Sequence, residues 1–222
     1  MNGMRAIYTC DIGSIPQGKF GWARCVPERE TTPVGSTSIS ELANYLKKDI
    51  EKGVNIAIGF ECPLFLPVPY FEGDLCRGRQ GDGNRAVFAQ AGATIATLGV
   101  HQVAWILRTI CPVGANHIEF TTDSSIWPPS DKRQVLFCWE AFVCGDAHGN
   151  DHVRDAATAT MFFIDNEMRL EAVNAVTTQQ SLSLIQAVAL WAGWSTNVDR
   201  LHDSALVIKP SHRYEGRIID IV

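Results

Sequence analysis

Three short apolar runs, each stopping at an acid, constrain this chain more than any other feature. Residues 6–10 lead into Asp11, residues 54–60 into Glu61 and residues 135–139 into Glu140. Apolar runs of this length, rich in β-branched and aromatic residues, read as buried strands. A carboxylate left unpaired inside such a strand would cost on the order of several kcal/mol to desolvate. At a strand end it can instead reach a metal ion, a hydrogen-bond donor or water. Asp often caps the turn that follows it, but three strands ending in acids go beyond that preference.

The segments between the runs suggest how the strands are arranged. Gly13, Ser14, Pro16 and Gly18 break the chain after Asp11, and residues 20–26 read as a second strand folded back on the first, which is expected to be central. A polar stretch with Pro33 precedes a short third strand. Ser38 and Glu41 have the spacing of a capping box. Ile39, Leu42, Ala43, Leu46 and Ile50 then share one helical face, so a helix is expected over residues 40–51. A helix between two buried strands implies a right-handed crossover with parallel strands. Asp11 and Glu61 would then meet at one carboxyl edge, where open α/β sheets bind ligands.

Residues 63–84 carry Pro63, Pro67, Pro69, Gly73, Gly78, Gly81 and Gly83 and read as a long irregular loop. Such loops are functional or disordered. Its arginines, Arg77 and Arg79, with Arg85 just beyond, make it either a solvated loop or an anion-binding lid. A long helix is expected over residues 85–110, with His101 on it as a structural histidine, then a strand over 117–121 and a loop over 122–133. Asp151 is placed to cap a helix over 154–165. Asp151 and Asp155, four apart, share a face at its start, where the helix dipole also favours acids. Residues 177–191 read as another helix, and residues 205–209 and 217–222 as two strands joined by a turn at Glu215 and Gly216.

A chain of 222 residues with 46% hydrophobic and 19% charged residues is globular in composition and suits one domain. A net charge of −5 argues against a broad basic face for nucleic acid. Seven cysteines without a CxxC pair, and no visible signal peptide, point to free thiols in a reducing, cytoplasmic setting. No apolar run reaches the roughly 18 residues of a membrane span.

The familiar phosphate-loop, GxSxG and HExxH motifs are absent. Residues 81–86 imitate a dinucleotide glycine pattern without a preceding strand. Cys10 and Cys62 flank two of the acids and read as small buried hydrophobes. What remains is carboxylate: Asp11, Glu61, Glu140, Asp155 and Asp151. Hard oxygen ligands suit Mg²⁺ or Mn²⁺, and such ions can activate water against a phosphodiester.

The order strand–Asp, hairpin, helix, strand–acid, helix, strand–acid, helix–Asp resembles the ribonuclease H-like fold, an α/β mixed sheet flanked by helices. Within it the chain looks most like the family catalogued as domain of unknown function 429. The likeness rests on Asp11-Ile12-Gly13-Ser14 with Gly21-Trp22-Ala23, on Phe60-Glu61-Cys62-Pro63-Leu64, on Trp139-Glu140-Ala141-Phe142 and on Arg154-Asp155-Ala156-Ala157. The likeness spans roughly residues 4–164 and leaves the tail uncovered; a single domain over residues 1–222 is expected, with a C-terminal helix and strand extension. The likeness implies a divalent ion on Asp11, Glu61 and Asp155, with Glu140 or Asp151 as a further ligand or base. Lys19, Arg77, Arg79 and Arg85 would face a phosphate-containing substrate, such as a short or structured nucleic acid. Two other readings stand beside this hydrolase: a non-catalytic binding module that keeps the fold, and an actin- or sugar-kinase-like nucleotide site at Asp11-x-Gly13-Ser14.

Overall fold

The computed structural model describes residues 3–83, 86–113 and 117–221. Its centre is β1 (Arg5–Asp11), buried from Ala6 onward. Alternation sends Ala6, Tyr8 and Cys10 into one core and Ile7 into the other, as expected of a strand covered on both faces. β2 (Gly21–Cys25) returns antiparallel and sets Gly21 opposite Asp11. β3 (Val34–Ser36) continues the meander. α1 (Ile39–Glu51) crosses over, and β4 (Asn55–Phe60) lies parallel to β1 on its other side. The hydroxyl of Ser38 caps α1 by accepting from the Glu41 amide at 3.3 Å. The Glu41 carboxylate accepts instead from Ser36 on β3 at 2.6 Å, which ties the cap to the sheet.

β5 (Phe65–Pro67), α2 (Gln90–Ile110), β6 (Ile118–Thr121) and β7 (Gln134–Ala141) follow. The chain finishes with α3 (His152–Asn166), β8 (Ser181–Ser183), α4 (Leu184–Ala192), β9 (Val207–Ile208) and β10 (Ile219–Asp220). The main sheet has eight strands in the order β10-β3-β2-β1-β4-β7-β6, with β9 also paired to β7. β2 runs antiparallel to both β1 and β3; β1, β4, β7 and β6 are parallel. The fold is α/β, with four α-helices among the described residues. α1, α2 and α4 supply the core on one face, where Leu42, Ile106 and Ile185 meet Tyr8 and Ile58. α3 covers the other face, with Phe163 against Phe137 and Trp139 and its alanines against Ala23. No helix among the described residues is long and apolar enough to cross a membrane.

Several expectations shift. The loop after Glu61 is not structureless: β5 pairs antiparallel with β8, which replaces the first turns of the helix expected over 177–191. α2 begins at Gln90 rather than 85, and Arg85 lies outside the described residues. Glu140 sits inside β7 rather than after it, because β9 extends the ladder with Glu140 opposite Val207. The last two strands do not form a hairpin. β9 joins β7 and β10 joins β3, on opposite sides of β1. Such long-range pairing leaves no local signature in the sequence.

Candidate active site

The carboxyl edge of the parallel strands opens into a cleft of about 570 Å³. Asp11 at the end of β1 and Glu61 after β4 both line it. The Glu61 amide donates to the Cys10 carbonyl at 2.8 Å, so the parallel ladder carries Glu61 to the level of Asp11. Gln102 on α2 donates to the Gly13 carbonyl at 2.7 Å and fixes the turn after Asp11 under that helix.

The first turn of α3 closes the site from the opposite face. A side chain at Gly21 would meet the His152 carbonyl carbon at 2.4 Å and the Val153 nitrogen at 2.6 Å, so only glycine lets α3 approach this closely. Since Gly21 is the cross-strand partner of Asp11, this contact sets His152 beside the acid. The Asp11 Oδ2 and His152 Nδ1 are 2.6 Å apart. Asp11 is 6% exposed, and burial pushes its carboxyl up to about 6; His152 pulls it down and Asp155 adds to the rise.

A second acid–imidazole pair lies next to the first. Asp155, fully buried on α3, is 2.8 Å from Nδ1 of the half-exposed His148. Its two oxygens also accept from the Gly149 amide at 3.0 and 3.1 Å. The loop before α3 is thereby folded onto the helix start. His148 and His152 both line the cleft. Neither histidine was among the expected site residues; the available signal was Asp151-His152 ahead of Asp155, which puts His152 and Asp155 one helical turn apart.

The remaining expected residues divide. Glu140 lines the cleft, yet its carboxylate is taken by Arg79 in a two-pronged pair at 2.6 and 2.7 Å and by the Leu64 amide at 2.9 Å. Burial pushes Glu140 above its usual range and Arg79 pulls it back. Arg79 also grips Asp82 at 2.9 Å, stacks over Phe65 and is buried, so it pins the loop to the sheet rather than facing a ligand. Arg77 pairs with Asp74 at 2.7 Å in solvent. Lys19 is exposed at the cleft wall. Asp151 caps α3, accepting from the Arg154 amide at 3.0 Å. Burial raises the Cys10 and Cys62 thiols well above their ordinary range, so both are poor nucleophiles.

The donor set of Asp11, Glu61 and Asp155 has the hard oxygens a divalent ion takes. As arranged, Asp11 and Asp155 each turn to a histidine, and among the described residues no three His, Cys, Asp or Glu are grouped to hold a metal ion. The geometry therefore offers two acid–imidazole pairs rather than a carboxylate cage. No family model, curated protein or solved structure matches the chain. A buried carboxylate orienting a half-exposed imidazole is suited to general acid–base work at the second ring nitrogen.

Proposed function

We propose that the cleft hydrolyses a phosphate ester, with His152 as the general base that Asp11 orients. The Asp11–His152 pair at the carboxyl edge is the observation that carries this reading. An ionised Asp11 requires the proton on Nδ1, which leaves the Nε2 lone pair of a neutral ring free to take a proton from water. Asp11 then stabilises the imidazolium. The water oxygen bonds to phosphorus as the ester P–O bond breaks, and His148, held by Asp155, is placed to donate its own proton to the leaving oxygen. Lys19 offsets charge on the phosphate.

The choice of phosphate is supported by the strand order. A three-stranded antiparallel meander followed by parallel β4 and β7, with acids at the end of β1, after β4 and on α3, resembles the plan expected of a ribonuclease H-like domain. This support is fold analogy and does not itself assign the chemistry. A metal-assisted version of the same hydrolysis is the second reading. It is favoured by the upward push of Asp155 on Asp11, a repulsion between buried acids that a cation would relieve.

The test is turnover of a panel of phosphate mono- and diesters, in chelator and in Mg²⁺ or Mn²⁺, by wild type and by His152→Gln and Asp155→Asn. Turnover in chelator that falls about 10²-fold or more in His152→Gln supports the imidazole base. Turnover only with metal, together with a metal-induced rise in melting temperature, supports the second reading. Turnover that survives both substitutions, or none across the panel, contradicts both and favours a binding module.

A further inference from the structure

Beyond the polar residues, one wall of the cleft is apolar. Ile12, Pro63, Ile95, Leu98 and Phe142 line it beside Asp11 and His152. This wall is held in place. A side chain at Gly99 of α2 would meet the Cys62 sulfur at 2.4 Å, and Gln102, one turn on, is bonded to Gly13. Ile95 and Leu98 are therefore fixed over the site although both stay partly exposed.

The cations are sparse by comparison. Among the described residues two lysine or arginine side chains line the cleft; Arg79 is committed to Glu140 and Asp82, which leaves Lys19. Lys209 lies 5.2 Å from the Phe142 ring without lining the cleft. A polynucleotide strand gains its affinity from a row of cationic contacts to successive phosphates. One available lysine beside an apolar wall matches one phosphate group carrying an apolar body. A volume of about 570 Å³ is that of a small-molecule site.

We infer that the cleft selects a phosphate monoester with an apolar body of about nucleoside size, as in an aryl phosphate or a mononucleotide, over an oligonucleotide strand. This selectivity rests on the hydrolytic reading of the same cleft and goes beyond it. Calorimetric binding to Asp11→Asn, folded and expected to be inactive, tests it; His152→Gln serves if that variant does not fold. The probes are adenosine monophosphate, phenyl phosphate, ribose 5-phosphate, inorganic phosphate and a single-stranded oligonucleotide. The first two are expected to bind at least about tenfold more tightly than ribose 5-phosphate or inorganic phosphate, since only they bury an apolar body. The oligonucleotide is expected to bind no more tightly than adenosine monophosphate, and Leu98→Ser to erase most of the preference. Tighter oligonucleotide binding, equal binding of all the phosphates, or no binding of any probe overturns the inference. Turnover by wild type separates the two ideas. Cleavage of the oligonucleotide alone keeps the hydrolase and removes the selectivity; the binding preference without any turnover keeps the selectivity and removes the hydrolase.

Discussion

At the residue scale, Asp11 carries an energetic penalty that its position imposes. Burial raises its carboxyl from an ordinary 3.8 to about 6. Below about pH 4 the group is protonated in both folded and unfolded chains. Between about 4 and 6 the folded state binds more protons, so this group's contribution to stability is lost as pH rises through that window. Asp11→Asn removes the charge and keeps an acceptor for His152. It is expected to stabilise the protein at pH 8 by on the order of 1–2 kcal/mol, with the gain vanishing near pH 4, as read by denaturant melts. A variant less stable than wild type at pH 8 would mean that the pair with His152 outweighs the burial cost. Asp11 was legible from its place after an apolar run. His148 and His152 were not, because a histidine in a loop or first helical turn has no pattern of its own; only the docking of α3 onto β2 gives His152 its acid. Arg79 was misplaced for a related reason. Glycine-rich surroundings suggested a mobile loop, whereas the buried partners Glu140 and Asp82 hold it still.

At the scale of elements, the site depends on how α3 meets the meander. The cap at Asp151 starts the helix, small residues let it lie flat, and Gly21 admits its first turn. Gly21→Ala would force the methyl into the His152 and Val153 backbone, which cannot swing aside as a side chain can. A loss of about 1–3 kcal/mol in stability is expected, together with at least about a tenfold loss of any turnover as His152 moves from Asp11. Gly73→Ala, where nothing lies within 4 Å, is the control and should change neither. Equal behaviour of the two variants in melts and assays would show that α3 is not held by this contact. α1 and α3 were readable from caps and helical periodicity. β5 and β8 were not, since each is short and its partner lies far along the chain.

At the scale of the whole molecule, the sheet gathers groups from distant parts of the sequence onto one edge. β1 and β4 bring Asp11 and Glu61, β7 brings Glu140, and α3 with the loop before it brings His148, His152 and Asp155. The meander and the first crossover were legible because their hydrophobic runs, turns and caps are local. The C-terminal segment was only partly so. It passes across α3, where Arg154 donates to the Tyr214 and Gly216 carbonyls at 3.1 Å, before β10 reaches the far edge. No run of residues announces that path. The edge acts as a unit if Asp11 must be ionised for His152 to work, and the pH dependence of kcat/KM for the best phosphate ester, in wild type and Asp11→Asn, measures this directly. In wild type the rate is expected to rise with pH through about 6, the range to which burial lifts Asp11. In Asp11→Asn kcat/KM should fall about 10²-fold or more, because the imidazole loses the carboxylate that orients it and stabilises its charged form. An Asp11→Asn enzyme that keeps the wild-type kcat/KM across this pH range would contradict the assignment of this pair as the reactive centre.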